Sequence, residues 1–368
     1  MSKEQVVDIR VKTIGESVAR KEDATLLTGR GQYIADIGLP GMLHAAFIRS
    51  PFAHAKITHI DVTAAAAVPG VELVWTGADV HAHTTGITST LEVEGFVGTT
   101  QPAIAYEVVR FVGEAVAVVV ASSRRVAEDA IELIDVDYDE LPVVANIDEA
   151  ENGTALANDT VPENVIHHNV RVAHAVDETF AAAATVVEGT FQNNRVSASP
   201  IETRGCIGQY EWTSGLTTFW SATQMPGILR TMLALFLQIP EHTIEVITPR
   251  VGGGFGQKAH VHVEELVICL LTRELGVPVS WIEDRQENLL SGTHAKHQYN
   301  TMALALDADG KFLAIKNHSI TDSGAYNCLP WTAAIESGCG TPLITGTYKI
   351  PLAHADSLDF ATNKCPIG

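Results

Sequence analysis

A glycine-rich stretch in the middle of the chain has the residue types of an anion-binding loop. The sequence PRVGGGFGQK holds one aromatic residue, Phe255, among four glycines, Gly252, Gly253, Gly254 and Gly256. Glycine allows left-handed backbone and lets a ligand approach the main-chain N–H groups closely. An apolar strand pattern precedes the loop and a helical pattern follows it, so free N–H groups at the helix start would add positive potential. The residues predict a site for a phosphate or a developing oxyanion.

The loop does not fit the standard phosphate-binding patterns. Gln257 stands where both G-x-G-x-x-G and the P-loop need glycine, and Ala259 stands where the P-loop needs serine or threonine. A glycine turn that only lets a helix pack closely on a sheet is an equally good interpretation of these residues alone.

Other positions could take part in chemistry, but each also has a plain structural interpretation. Gln224, in SATQMPG, offers an amide that donates without adding charge, although the residues alone favour a cap for the next helix. Glu202, in SPIET, is either a buried acid or a member of an ion pair, and we favour the ion pair. His260 and Glu264 are spaced one helical turn apart and could bind a metal, but a solvated helix start is the better interpretation.

The composition excludes several classes of function. The chain has 368 residues, of which 46% are hydrophobic and 18% charged, and its formal net charge is −20. This predicts a globular protein that binds neither nucleic acid nor anionic membranes, since both are polyanions. No apolar run approaches the ~20 residues of a membrane span, and the first residues lack a signal-peptide core. The five cysteines form no CxxC pair, which favours reduced thiols and a cytoplasmic location.

The apolar patterns predict two folded units of mixed α and β structure. Residues 1–20 form a polar N-terminal arm, and residues 21–146 form one compact α+β unit whose FVGEAVAVVVA run is typical of a buried strand. Residues 147–170 are polar and turn-rich, so we expect a linker there. Residues 171–368 alternate strands and helices, as in α/β layer packing, with a helix expected over 258–275.

Taken together, the motifs resemble those of the molybdenum hydroxylases, the family of xanthine dehydrogenase, aldehyde oxidase and carbon monoxide dehydrogenase large subunits. PRVGGGFGQK is similar to the family's loop beside the molybdenum centre. Other similar stretches follow in the family's order: RKEDATLLTGRGQYIADIGLPGMLHAAFIRSPFAHAKI, RFVGEAVAVVVA, AIELIDVDYDELPVV, SASPIETRG, SATQMPGILR, WIEDRQENLLSGTHA, DSGAYN and ATNKCPIG. The resemblance covers nearly the whole chain and the N-terminal half of the family's large subunit. It implies an α+β fold, with an α/β hammerhead domain over 21–146 and part of the molybdopterin-binding α/β domain over 171–368.

The resemblance also implies which residues bind the cofactor. By position, the amide of Gln224 would donate to an oxo ligand of the molybdenum. The loop residues Gly253, Gly254, Phe255 and Gly256 would line the cofactor, with the N–H groups of Phe255 and Gly256 as donors and the Phe255 ring as a shield against water. None of these residues would ligate the metal directly.

The resemblance implies a molybdopterin-dependent oxidoreductase subunit, with the cytosine dinucleotide form of the cofactor as one option. The substrate would be an aldehyde, an N-heterocycle, carbon monoxide or a similar small molecule, and water would supply the oxygen. Purine oxidation is not implied, because Ala259 stands where the purine-oxidising members have a glutamate after the loop's lysine. Electrons would pass to [2Fe–2S] clusters and FAD on an iron–sulfur subunit and an FAD subunit, in a dimer of heterotrimers.

Two parts of the family's active site are not found in these 368 residues. The family's arginine-bearing loop and its catalytic glutamate would come from the remainder of the large subunit. We therefore assign no catalytic residue and expect this chain alone to be inactive. A competing interpretation is a non-catalytic remnant that binds a partner or a nucleotide, and a third is a nicotinamide or flavin dehydrogenase that uses the glycine loop.

Overall fold

The computed structural model describes residues 14–89 and 91–368, and these contain ten α-helices and nineteen strands. Most of the polar arm expected over 1–20 lies outside the described residues. The strands are β1 (Leu43–Arg49), β2 (Ala55–Asp61), β3 (Val71–Thr76), β4 (Ile87–Thr88), β5 (Thr100–Gln101), β6 (Val108–Val109), β7 (Ala115–Ala121), β8 (Asp135–Glu140), β9 (Val165–Val172), β10 (Thr185–Asn193), β11 (Val196–Ser197), β12 (Gly205–Glu211), β13 (Leu216–Ser221), β14 (Ile244–Ile247), β15 (Val279–Ile282), β16 (His294–Ala295), β17 (Gln298–Leu306), β18 (Phe312–Gly324) and β19 (Leu352–Ala361). The helices are α1 (Asp23–Leu27), α2 (Thr63–Ala66), α3 (Gly77–His81), α4 (Arg124–Ile131), α5 (Ile147–Asn152), α6 (Val176–Ala182), α7 (Pro226–Leu237), α8 (Val263–Leu275), α9 (Arg285–Ser291) and α10 (Ala333–Gly340).

A seven-stranded sheet forms the centre of the fold and joins the two units that the sequence suggested. Its strand order is β14-β13-β12-β15-β1-β7-β3. Strands β1, β3 and β7 come from the first expected unit, and the other four come from the second. Strands β1 and β15 are parallel neighbours, with Leu43 paired to Val279. The first unit is therefore not self-contained, because later strands complete its sheet.

Strand β7 is buried along its whole length, as the run AVAVVVA predicted. All seven of its residues are buried, and its side chains alternate between two cores because successive residues of a strand face opposite sides. Val118 and Val120 share a core with α7 and α8. Ala117 and Val119 share the other core with α4. A continuous apolar run fits a strand that is covered on both faces.

A second sheet, in the order β10-β17-β18-β19-β9, packs beside the segment that we expected to be a linker. Residues 147–170 contain α5, a short 3-10 turn and most of β9. Ile147, Ala150 and Ile166 are buried in one core with Phe360 of β19. The expectation of an unpacked linker differs from the structure because a few buried apolar residues are scattered among many polar ones.

Helix α8 begins later than the expected range 258–275. It starts at Val263, and the carboxylate of Glu265 accepts from the main-chain N–H of His262 in a capping box. Gln257–Ala259 form a separate 3-10 turn. The free amides of a helix start are therefore not part of the glycine loop, and the prediction that they add positive potential there is wrong.

The cysteines are unpaired and the helices are short. All five cysteines are free thiols. Among the residues described, no helix combines the length and the apolar character that crossing a bilayer requires. The most deeply buried helix, α8, has only 13 residues, and it is covered by the protein's own core.

Candidate functional site

The glycine loop follows β14, the edge strand of the central sheet, and leads into the 3-10 turn. Gly253 and Gly256 have φ angles of 100° and 91°, which residues with side chains rarely adopt. Phe255 lies between them with a φ of 50°, a conformation that is costly for an aromatic residue and is concentrated at functional sites. The Phe255 side chain is 76% exposed. The loop thus presents an apolar ring on strained backbone instead of placing it in the core.

Gln224 is fixed directly against this loop. The N–H of Gly256 donates to the amide oxygen of Gln224 at 3.2 Å, and the main-chain N–H of Gln224 donates to the carbonyl of Lys258 at 2.8 Å. A Cβ on Gly254 would lie 2.3 Å from the Gln224 amide oxygen, so only glycine allows this approach. The structure therefore brings Gln224 together with Gly254 and Gly256, three of the residues that the sequence singled out.

Several hydrogen-bond donors of the loop are uncommitted. Within residues 14–89 and 91–368, the N–H groups of Gly253, Gly254 and Phe255 donate to no protein acceptor. The amide oxygen of Gln224 is occupied by Gly256, so its amide nitrogen is available to donate. These uncharged donors suit a ligand that presents oxygen atoms. The N–H of Gly256, in contrast, already positions Gln224.

Glu202 and Lys258 form an ion pair behind the loop, as we favoured for Glu202. Their side-chain atoms are 2.8 Å apart, and the Lys258 side chain is 1% exposed. Burial lowers the pKa of Lys258, while the Glu202 carboxylate opposes this shift. The same carboxylate accepts from the N–H of Gly252 at 2.6 Å. The contact between Glu202 and Gly252 was missed, because no sequence pattern pairs residues fifty positions apart.

An ionic cluster, which we define as Arg49, Arg204, Glu264, Glu283 and Glu287, is buried behind the loop. Arg204 contacts Glu264 at 3.0 Å and Glu283 at 2.5 Å. Arg49 contacts Glu264 at 2.8 Å and Glu287 at 3.0 Å. Burial opposes ionisation of Glu264, but the two guanidinium groups hold its pKa well below the usual range. The ionic cluster connects β1, α8 and α9 with the residues just before β12 and just after β15 into one support.

A side chain on α9 links the ionic cluster to the turn that follows the loop. The amide nitrogen of Asn288 donates to Glu283 at 2.7 Å and to the side-chain oxygen of Gln257 at 2.8 Å. Asn288 is fully buried. The position of the 3-10 turn is therefore tied to the buried charges, and a rigid support holds the end of the loop.

His260 and Glu264 do not form the exposed helix start that the sequence suggested. His260 precedes α8, and both side chains are buried. Burial lowers the pKa of His260 to about 4, and Glu264 belongs to the ionic cluster. Among the residues described, no group of three or more His, Cys, Asp and Glu residues is placed to hold a metal ion.

Comparison with known protein families now identifies the fold. Residues 157–368 match the model of the molybdopterin cofactor-binding domain, and residues 28–142 match that of the aldehyde oxidase and xanthine dehydrogenase a/b hammerhead domain. This chain belongs to the molybdenum hydroxylase large-subunit family. The expected fold class, a hammerhead domain followed by part of a molybdopterin-binding domain, is confirmed.

Individual molybdenum hydroxylases are similar over nearly the whole chain. The nicotine 6-hydroxylase large subunit of Paenarthrobacter nicotinovorans is 46% identical over 358 residues, which are 96% of this chain and 44% of that protein. The carbon monoxide dehydrogenase large chain of Afipia carboxidovorans is 36% identical over 98% of this chain and 45% of its own. The crystal structure of quinoline 2-oxidoreductase from Pseudomonas putida 86 superposes with a TM-score of 0.95 at 60% identity, over 97% of this chain and 45% of its own. The chain thus spans less than half the length of these relatives.

The residues around the loop fit a cofactor of the molybdenum hydroxylase type. Gln224 takes the space that a Cβ on Gly254 would fill. Its amide therefore packs directly against the main chain of the loop at Gly254. The uncommitted N–H groups and the exposed Phe255 ring lie on the same loop. Uncharged donors beside bare backbone can bind the oxygen atoms of a metal–pterin group without a competing protein charge.

Proposed function

We propose that this chain forms part of the cofactor site of a molybdopterin-dependent hydroxylase that oxidises a small nitrogen heterocycle, with oxygen taken from water. The observation that carries the proposal is the close approach of Gln224 to the bare backbone at Gly254 and Gly256. The choice of substrate class is supported by the names of two relatives, a quinoline 2-oxidoreductase and a nicotine 6-hydroxylase.

In this proposal, Gln224 and the glycine loop bind the cofactor and shield it from water. Gln224 donates through its amide nitrogen to an oxygen of the cofactor, and the N–H of Phe255 is the second donor. Gly253 and Gly254 let the cofactor approach the main chain. The Phe255 ring excludes water. When bound, the molybdenum–molybdopterin group supplies the two-electron oxidation for which protein side chains have no equivalent.

The surroundings of the loop favour a heterocycle other than a purine. Ala259 follows Lys258 and carries no carboxylate that could bind a purine. Lys258 is committed to Glu202 and is not available to a substrate. Aldehydes and carbon monoxide remain the alternative substrates, and turnover of the assembled enzyme is measured with each of them and with a heterocycle.

We also propose the usual setting of such a subunit. Several relatives are named as large subunits or large chains, so the proposed partners are an iron–sulfur subunit with [2Fe–2S] clusters and an FAD subunit, arranged as a dimer of heterotrimers in the cytoplasm. The proposed cofactor form is the cytosine dinucleotide. The boundaries 21–146 and 171–368 are our proposal for the two domains. The proposed turnover is that of the assembled enzyme.

The first test is the cofactor content of the protein isolated with its natural partners through an affinity tag on this chain. Molybdenum is measured by mass spectrometry and the pterin by fluorescence after oxidation. About one molybdenum and one pterin per large subunit are expected. Bound nicotinamide without molybdenum would favour a dehydrogenase, and no cofactor at all would favour a non-catalytic remnant; either result refutes the proposal.

The second test compares glycine variants that differ only in what the new Cβ meets. In Gly254→Ala the Cβ would lie 2.3 Å from the Gln224 amide oxygen, whereas at Gly227, on α7, nothing lies within 4 Å. Gly254→Ala and Gln224→Ala are expected to lower kcat for a heterocycle, an aldehyde or carbon monoxide about 100-fold, by analogy with removal of one oxyanion donor. Gly227→Ala is expected to match the wild type. Unchanged turnover in Gln224→Ala would show that the cofactor assignment is wrong.

A further inference from the structure

Glu202 holds the first residue of the glycine loop at both of its main-chain polar groups. Its carboxylate accepts from the N–H of Gly252 at 2.6 Å, and its own main-chain N–H donates to the carbonyl of Gly252 at 3.2 Å. A Cβ on Gly252 would lie 2.5 Å from the Cβ of Glu202. This paired contact fixes both main-chain polar groups of Gly252 at the start of the loop, five residues after the end of β14.

The charge of Glu202 is compensated from the other end of the loop. The oxygen that accepts from Gly252 also accepts from Lys258 at 2.8 Å, and the second oxygen accepts from the main-chain N–H of Ile34 at 3.4 Å. Lys258 lies six residues after Gly252, so one carboxylate oxygen joins the start and the end of the loop. Hydrogen bonds to an ionised acceptor are roughly twice as strong as neutral ones.

The segment that carries Glu202 is itself fixed. Arg285 of α9 donates to the carbonyl groups of Pro200 and Ile201. Two residues after Glu202, Arg204 enters the ionic cluster. The segment around Glu202 is therefore rigid, and the Glu202 side chain transfers this rigidity to the start of the loop.

We propose that Glu202 is a positioning residue that holds Gly252 in place. With Gly252 fixed, Gly256 reaches Gln224 four residues later, and the N–H groups between them face the cofactor. Lys258 neutralises the Glu202 carboxylate and keeps its acceptor oxygen in place. The inference rests on the proposed function of the loop. It predicts an effect at a distance: loss of the Glu202 side chain weakens the hydrogen bond between Gly256 and Gln224, although Glu202 touches neither residue.

The test uses two double variants that share the same background. Glu202→Gln with Lys258→Met keeps an uncharged acceptor for the N–H of Gly252, and Glu202→Ala with Lys258→Met removes it. Neither leaves a buried unpaired charge, so the cost of breaking a buried ion pair does not obscure the comparison. Hydrogen–deuterium exchange is measured at Gly252 and Gly256 in the protein isolated with its natural partners, together with the urea unfolding midpoint.

We expect the amide of Gly256 to exchange at least tenfold faster in the alanine double variant than in the glutamine double variant, with similar unfolding midpoints. Equal exchange at Gly256 in both would overturn the proposal and leave Glu202 a local structural residue. Should the alanine double variant not fold, Glu202→Asn with Lys258→Met replaces it, because the shorter, uncharged side chain holds its acceptor away from Gly252. The same tenfold increase is expected there, and exchange equal to the glutamine double variant refutes the proposal.

The exchange readout separates this proposal from the proposed function. Exchange at Gly256 reports loop geometry whether or not molybdenum is found, so a cofactor-free protein refutes the function without deciding the role of Glu202. Asp79→Ala is the matched control, since it removes a carboxylate that accepts from the main-chain N–H of Thr76 at 2.8 Å in the hammerhead domain. It is expected to leave exchange at Gly256 unchanged. A tenfold increase in exchange at Gly256 in the control variant would mean that any loss of stability speeds exchange in the loop. That result would contradict a specific role for Glu202.

Discussion

The glycine loop and the ionic cluster behind it are neighbours with opposite chemistry. The loop presents main-chain N–H groups and the exposed Phe255 ring, and it carries no charge between Gly252 and Gln257. The ionic cluster contains two arginines and three glutamates, which are joined by four ion pairs. One region is strained, open and neutral, whereas the other is buried, paired and charged.

Under the proposed function, this difference divides support from recognition. Charges at the loop would attract solvent and counter-ions, and their hydration would compete with an oxygen-rich cofactor. Charges in the interior can instead fix several elements at once, provided that each has a partner. Asn288 and Glu202 carry this rigidity to the two ends of the loop. The predictions below test that division through the free energy of unfolding, from the largest effect to the smallest.

The largest effect is expected when the ionic cluster loses its central cation. Arg204→Met leaves Glu283 without its arginine and leaves Glu264 with Arg49 alone. Removing one partner of a buried pair typically costs about 3–5 kcal/mol, because the remaining charge is uncompensated. The urea unfolding midpoint should therefore fall strongly.

The control for Arg204→Met is an ion pair on the surface. Arg124 and Glu128 lie one turn apart on α4, with side chains that are 41% and 45% exposed, so solvent screens their attraction. Arg124→Met should leave the unfolding midpoint close to that of the wild type. Equal losses in the two variants would mean that the ionic cluster supports the fold no more than a surface pair does.

A smaller, pH-dependent effect is expected at Glu265, which caps α8 beside the ionic cluster. Burial raises the pKa of Glu265 to about 7, although Ser221 and the N–H of His262 donate to its carboxylate. The folded protein therefore binds this proton more tightly than the unfolded chain does. The resulting stabilisation is complete below the ordinary pKa of 4.5 and is lost as the pH rises through about 7.

Glu265→Gln should remove this loss of stability. The glutamine oxygen can accept from His262 and its nitrogen can donate to Ser221, so both contacts survive without a charge. The gain in unfolding free energy over the wild type should be about 2 kcal/mol larger at pH 8 than at pH 5.5. Urea unfolding at the two pH values measures it. Glu128→Gln, on the exposed face of α4, should follow the wild-type pH profile; a pH-independent difference for Glu265→Gln would contradict the assigned cause.

Much of the fold could be predicted because burial follows simple periodicities. The run AVAVVVA predicted the buried strand β7, since a strand covered on both faces has no polar positions. The packing of residues 147–170 could not be predicted in this way. Ile147 and Ile166 are buried by contacts with β19, which lies about 200 residues later in the chain, and local composition carries no record of such contacts.

The sequence could single out the candidate residues, and their role in binding a cofactor stays a prediction, but it could not show how these residues are connected. The glycines and Gln224 were found by their residue types and by the family resemblance. The start of α8 was placed five residues too early, because His260, Val261 and His262 continue a helical pattern although their backbone is not helical. The ionic cluster joins residues of β1, α8 and α9 with Arg204, just before β12, and Glu283, just after β15. Only the tertiary structure therefore shows that Glu264 is paired and not solvated.

The smallest effect on stability is expected at Phe255, where the two regions differ most. Its ring is 76% exposed and its φ is 50°, so the folded chain gains little from burial and bears backbone strain. Phe255→Gly relieves that strain but adds freedom to the unfolded chain. The unfolding free energy should change by less than about 1 kcal/mol.

Activity should separate from stability at this position. Without its ring, Phe255→Gly admits water to the site, and we expect kcat of the assembled enzyme to fall about tenfold while the urea midpoint hardly moves. Phe255→Leu keeps an apolar cover and should stay within about twofold of the wild-type kcat. A loss of stability in Phe255→Gly as large as that in Arg204→Met would place the ring in the supporting core. The division between a neutral recognition loop and a charged support would then be wrong, because the loop would be holding the fold together as well.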